Sequence, residues 1–201
     1  MKRAHKYVHE KVTLLNRIQV LSSEFSQLVE KGSLVLDVGS GSGDIASIIA
    51  EKSEATLTGI DVLVRGDTKI PVKEFDGKTM PFPDKSYDYV IFIDVLHHTS
   101  NVKELLSEAS RIARKGIIIK DHNCNSSWQN RVLRFTDWFG NAQYNVHLEF
   151  NFKSRTFWKN SFKELGLIET SYINPKLYPT FTRLVFWKDL DFISKLNFEA
   201  A

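Results

Sequence analysis

Three glycines at alternate positions, Gly39, Gly41 and Gly43, follow the apolar run 34–38 and precede a helical run that starts at Asp44. Glycines so spaced clear side chains from a place where a ligand must approach the backbone. The start of the following helix leaves amide N–H groups free for it. A dinucleotide fingerprint, G-x-G-x-x-G, needs its third glycine at position 44, where this chain has Asp44. A carboxylate there suits the helix dipole and repels a pyrophosphate. The turn therefore points to a ligand without phosphate and away from a nicotinamide dinucleotide.

Acids reinforce the turn. Asp37, Asp61 and Asp76 stand at the ends of three successive strand-like runs. A carboxylate about 20 residues past the glycines can accept both ribose hydroxyls, and Asp61 has that spacing. Asp76 can accept from an adenine amino group, and Asp37 can hold an ammonium directly or through water. Each acid alone also reads as a strand-end cap.

Histidines offer proton chemistry near neutral pH. His97 and His98 follow the fourth strand-like run, and His122 follows the fifth. Both ends open onto the same edge of a parallel sheet. Each histidine also has a reading as a hydrogen-bonded structural residue, and Asp121 either orients one of them or caps a turn. His5 and His9 lie one helical turn apart, without a third ligand or the glutamate of H-E-x-x-H, and read as an exposed pair.

The elements that must position these residues are legible from periodicity. Val8, Val12, Leu15, Ile18, Leu21, Phe25 and Leu28 predict a helix over 4–31. Strands are predicted at 34–38, 56–61, 72–76, 87–94 and 116–121, with a helix from the capping signal Asn101-x-x-Glu104. Strands alternating with helices imply a mostly parallel sheet covered on both faces. Residues 123–152 break the alternation, and nine of the 24 aromatics fall between 124 and 160. This stretch reads as an insertion at the strand ends, either a substrate lid or a hydrophobic subcore. A helix over about 154–165 and two closing strands, 167–173 and 180–187, complete the chain. The link between those strands is too short for a crossover helix, so one of them is expected antiparallel.

The 201 residues suit one domain, and 27 Lys+Arg against 24 Asp+Glu does not single out nucleic acid or anionic lipid as a partner. One cysteine, Cys124, rules out an internal disulfide, and no Cys/His spacing resembles a structural zinc site. No apolar run reaches the roughly 18–20 residues that span a bilayer. The start lacks the apolar stretch and cleavage site of a secretory signal. A cytoplasmic location is expected.

Four stretches, VLDVGSGSGDIA (35–46), GIDV (59–62), FDGKTMPFPDKSYDYVIFIDVLHHT (75–99) and EASRIARKGIIIKDH (108–122), resemble the class I S-adenosylmethionine-dependent methyltransferases of the small-molecule, type 11-like branch. The resemblance covers about 17–122 well and the remainder loosely. Ser40 stands where the family usually has Cys or Thr, and Arg114-Lys115-Gly116 replaces its usual Pro-Gly-Gly. The segment 120–146 is also similar to a subset of bacterial members.

The resemblance implies a Rossmann-like α/β fold of about seven strands, with one antiparallel strand and helices on both faces. It implies methyl transfer from S-adenosylmethionine to a small-molecule acceptor, with S-adenosylhomocysteine as product. Asp37, Gly39, Ser40 and Gly41 would hold the methionine part, Asp61 and Val62 the ribose, and Asp76 and Gly77 the adenine. Asp94, Leu96 and His97 would lie along the methionine and sulfonium. His98 and His122 are the candidate bases, Trp138, Tyr144 and His147 the candidate pocket residues, and no metal is expected. One domain is expected, with an N-terminal helical segment (1–32), a cofactor half (33–122), an aromatic lid (123–160) and closing elements (161–201). The oligomeric state is left open. Two other readings stand beside this one. A non-catalytic partner subunit is disfavoured by the intact acid and glycine set. Methylation of a macromolecule is disfavoured because the chain has no appended basic module and has Asp94-Val95-Leu96-His97 in place of N/D-P-P-Y/F.

Overall fold

The computed structural model describes residues 2–141, 148–178 and 190–199, with side chains undescribed at 2–13 and 139–141. Among the described residues, five α-helices and seven strands follow one another. They are α1 (Lys2–Leu28), β1 (Leu34–Val38), α2 (Asp44–Ser53), β2 (Thr56–Asp61), β3 (Val72–Glu74), β4 (Tyr87–Ile93), α3 (Val102–Ile112), β5 (Ala113–His122), α4 (Ser127–Asn141), α5 (Arg155–Glu164), β6 (Leu167–Ile173) and β7 (Asp191–Phe198). The strands form one sheet in the order β3-β2-β1-β4-β5-β7-β6. β1 to β5 pair parallel, and β7 runs antiparallel to both β5 and β6. Among the described residues one strand, β7, runs antiparallel near the C-terminus, as expected of the sheet.

Alternation along each strand divides the core into two layers. Leu36 and Val38, Val90 and Phe92, and Ile117 and Ile119 face α3 and α5, where Leu105, Leu106, Ile112, Trp158 and Phe162 are buried. Val35, Tyr89, Ile91 and Ile118 face the opposite way, against Leu21 and Phe25 of α1 and Ile49 of α2. Strands apolar on both faces need helices on both, as the parallel topology supplies. α3 begins as its sequence signal predicts: the Asn101 side chain accepts from the Glu104 amide at 3.3 Å and donates to its carboxylate at 3.1 Å. Ser154 caps α5 by accepting from the Phe157 amide at 3.2 Å.

Three features of the fold lie beyond the sequence reading. The stretch 123–152 contains a regular helix, α4. Leu133 is buried on it while Trp128, Phe135 and Trp138 are exposed, so large aromatics on the outer face hid its periodicity. The second closing strand is Asp191–Phe198; the expected 180–187 lies outside the described residues. Asp191, Ser194 and Lys195 interrupt the apolar pattern of β7, because Asp191 pairs with a buried lysine and Lys195 donates to the Leu28 carbonyl. β3 ends at Glu74, which leaves Asp76 in the turn beyond it.

Candidate active site

The order of strands reverses between β1 and β4, and the turn after β1 opens at that point, where ligands of open α/β sheets bind. Gly39, Gly41 and Gly43 all have positive φ, 72°, 57° and 74°. A Cβ on Gly39 would lie 2.5 Å from the Val95 side chain, so glycine is required there by contact as well as by backbone conformation. The amides of Gly39 and Ser40 donate to the Ile60 carbonyl at 2.8 and 3.2 Å, and that of Gly43 to the Ser40 carbonyl at 2.9 Å. The Gly41 amide donates to the Asp61 carboxylate at 2.8 Å. The loop thus folds back on β2 to satisfy amides of the turn itself, whereas the expectation concerns the amides that open α2.

Asp37 is 4% exposed, and its burial pushes the carboxyl up to about 7, against a smaller downward pull from the Ser40 hydroxyl. Asp61, at the end of β2, accepts from Gly41 and, at 3.1 Å, from the Leu63 amide. Val62 beside it is exposed, and a Cβ on Gly77 would approach it to 3.1 Å, so the Val62 side chain leans over Gly77. Asp76 accepts from the Lys78 and Thr79 amides at 2.8 and 2.7 Å, and those bonds hold its carboxyl below the usual range. Arg65, which the sequence did not single out, holds its guanidinium over Gly41, 3.7 Å from where a Cβ would stand.

A second group of polar residues lies at the ends of β4 and β5. Asp94 has φ 57°, a conformation that non-glycine residues seldom adopt outside constrained sites. One of its oxygens accepts from Arg17 of α1 and the other from Lys120 of β5, each at 2.5 Å. Burial pushes the Asp94 carboxyl up, but Lys120 and Arg17 outweigh it and hold the group well below the carboxylate range. Lys120, 1% exposed, also meets Asp191 of β7 at 2.8 Å. His122 sits between these acids, Nδ1 at 3.1 Å from Asp191 and Nε2 at 3.4 Å from Asp94.

His97 and His98 occupy a single 3-10 turn, Leu96–His98. His97 Nδ1 is 2.8 Å from Asp121, so Asp121 orients His97. Burial pushes the His97 imidazole down, yet Asp121 and then Asp137 outweigh it and raise it to about 10. His98 is lowered instead, by burial and by the charge on His97. His97 is stacked on Phe152, with ring centroids 5.0 Å apart. Leu96 is fully buried in the core. Trp138 is 54% exposed and packs near Phe135. Its neighbour Asp137 is the α4 residue that reaches both histidines, at 3.7 Å from His97 Nε2 and 3.6 Å from His98 Nε2. Tyr144 and His147 lie outside the described residues. An open depression of about 630 Å³ adjoins this group, lined by Phe152, Cys124, Asn125, Ser127, Asn130 and Arg131.

Sequence reasoning passed over Arg17, Asp137 and Asp191. Lys120 carried a signal of its own, because a lysine that continues the run Ile117-Ile118-Ile119 in a strand covered on both faces must have buried partners.

A family model described as a methyltransferase domain matches residues 10–170. The chain belongs to that family. The demethylmenaquinone methyltransferase of Tropheryma whipplei (strain Twist) is 34% identical over 97 residues, 44% of this chain and 40% of that protein. The fatty-acid O-methyltransferase of Mycolicibacterium smegmatis is 35% identical over 114 residues, 51% of this chain and 42% of that protein. The chain spans about two-fifths of the length of these relatives. A SAM-dependent methyltransferase from Aquifex aeolicus shares the fold, with a TM-score of 0.63 at 15% identity over 94% of this chain and 98% of the other. Another, from Methanosarcina mazei, has a TM-score of 0.64 at 15% identity, covering 88% and 97%. The methyltransferase domain thus has the Rossmann-like architecture that its sequence implies. Among the described residues, no helix is long and apolar enough to cross a membrane.

Proposed function

We propose that the chain binds S-adenosylmethionine along the edge formed by β1, β2, β3 and β4 and methylates a small-molecule acceptor. The observation that carries this reading is that Asp37, Asp61 and Asp76 fall at the carboxyl edge of three adjacent parallel strands, around a turn in which Gly39 leaves no room for a side chain. When bound, the cofactor supplies a methyl group on a sulfonium, which departs as the thioether when a nucleophile displaces it.

The residues present fit that group. Asp37, buried and without a cation among its neighbours in the described residues that act on it, suits a ligand ammonium. Asp61 keeps lone pairs beyond the two amides it accepts, enough for ribose hydroxyls. Val62 over Gly77 forms a slot edge for a flat ring, and Asp76 has a second oxygen for its amino group. Asp94, Leu96 and His97 mark the methionine end, with Ser40 and Gly41 at its turn. On the acceptor side, His98 stays neutral at pH 7 and so can take a proton, and His122, between Asp94 and Asp191, is the second candidate base by position. His97 carries its proton at neutral pH and acts on the site through charge and position. α1, through Arg17, and α4, through Asp137, reach the same polar group, which supports a roof over the site built from these two helices. Relatives named as a demethylmenaquinone methyltransferase and a fatty-acid O-methyltransferase support a small-molecule acceptor, with oxygen, carbon and nitrogen all open as the accepting atom.

Calorimetry tests the reading. S-adenosylmethionine and S-adenosylhomocysteine bind and NAD does not, and Asp61→Ala weakens cofactor binding by about 1.5–3 kcal/mol, the scale of hydrogen bonds to a charged group. No cofactor binding, or unchanged affinity in that variant, rejects it.

A further inference from the structure

We propose that His97 Nε2, His98 Nε2 and the Asp137 carboxylate form a binding site for a divalent transition-metal ion of the Zn²⁺ type. The three donor atoms lie within 4.8 Å of one another. Asp137 Oδ1 is 3.7 Å from His97 Nε2 and 3.6 Å from His98 Nε2. Four-coordinate zinc with bonds of about 2.0–2.1 Å sets its donors roughly 3.3–3.4 Å apart, so the two edges to Asp137 have to close by only a few tenths of an ångström. Two imidazoles and one carboxylate are a donor set of zinc sites that keep a position open for a further ligand.

A second observation points the same way. Asp121 accepts from His97 Nδ1 at 2.8 Å, so a metal ion has only to displace the Nε2 proton, which His97 carries at neutral pH in its absence, for that nitrogen to become the donor. This carboxylate–histidine arrangement recurs behind metal-bound histidines and orients the ring. Phe152 stacks on the His97 ring, and Asn151 donates to the His97 and Thr99 carbonyls at 2.9 and 2.8 Å, so the turn carrying both histidines is held in place. The His98 side chain is 19% exposed, which leaves an approach from solvent.

A competing trio, Asp94, His97 and His122, shares one ligand with this set. There Asp94 already receives Lys120 and Arg17 at 2.5 Å, and two fixed cations oppose a third. Both sit on Asp94, whereas the carboxylates facing the His97 and His98 rings are Asp121 and Asp137. The ion's open position would face the acceptor side, where it can hold and acidify an oxygen of the acceptor. That role rests on the methyl-transfer reading, whereas the existence of the site does not. With an ion bound, His98 is a ligand and the proton-accepting role passes to His122 or solvent.

The full chain, freed of metal by a chelator and titrated with Zn²⁺, is expected to bind one ion per chain with submicromolar affinity. Co²⁺ in its place should give the visible d–d absorption of a four- or five-coordinate N/O site. His98→Ala and Asp137→Asn should each weaken Zn²⁺ binding at least tenfold, and Asp121→Asn by about 10–100-fold, with far-ultraviolet and near-ultraviolet circular dichroism unchanged. Lack of Zn²⁺ binding by the wild type overturns the proposal. So does binding that survives in both His98→Ala and Asp137→Asn, or that is lost in His122→Ala while His98→Ala retains it. Cofactor binding measured beside the Zn²⁺ titration separates the two readings: a chain that binds cofactor but takes up no zinc sinks the metal site alone, and one that takes up zinc but binds no cofactor sinks methyl transfer alone.

Discussion

Asp37→Asn exchanges stability for function in a way that pH reveals. The Asp37 carboxyl is 4% exposed, and burial raises it from an ordinary 3.8 to about 7. Between those values the folded chain holds a proton that the unfolded chain has released. Stability therefore falls as pH rises from about 4 to about 7 and levels off above. At 1.36 kcal/mol per pH unit the gap corresponds to roughly 4 kcal/mol at pH 8. Asparagine has the same shape and no charge, so it removes this cost. Urea denaturation of both proteins across pH 4.5–8 is expected to show the variant increasingly more stable, from a difference of about 1 kcal/mol at the acid end to about 4 kcal/mol at pH 8. The same substitution removes the negative charge that a ligand ammonium would meet. Wild-type S-adenosylmethionine affinity should rise as pH passes 7, with proton release on binding at pH 6, and the variant should show neither. A stability difference that stays flat with pH, or an asparagine variant less stable at pH 8, refutes the reasoning, because burial would then not dominate the energetics of this carboxyl.

Gly39→Ala places a methyl group 2.5 Å from Val95 in a backbone with φ 72°. Loss of about 1–3 kcal/mol in chemical denaturation is expected, and Val95→Ala in the same chain should recover only the part due to contact. Lys120→Met leaves Asp94 and Asp191 buried without the ammonium that lies within 2.8 Å of both. Such a loss of one partner costs about 3–5 kcal/mol, measurable by urea denaturation at pH 7, with partial recovery when Asp191→Asn is added.

Local signals in the sequence carried the strand–turn–helix at 34–53, the Asn101 cap and the alternation of strands and helices, because spacing of apolar residues, glycine conformation and capping act over a few positions. They carried the three acids at strand ends for the same reason. The family pattern in the sequence extended this to the sheet and its one antiparallel strand. What it could not carry is which distant charges meet. β7 enters the sheet between β5 and β6, out of chain order, and only that insertion sets Asp191 against Lys120 and His122. Arg17 reaches Asp94 because α1 crosses back over the strand ends. Asp121 selects His97 over its neighbours, and Asp137 arrives from a helix whose exposed aromatics concealed it. A buried charge is stabilised only by the partners that surround it in space, and those partners come from five separate elements that tertiary packing alone brings together.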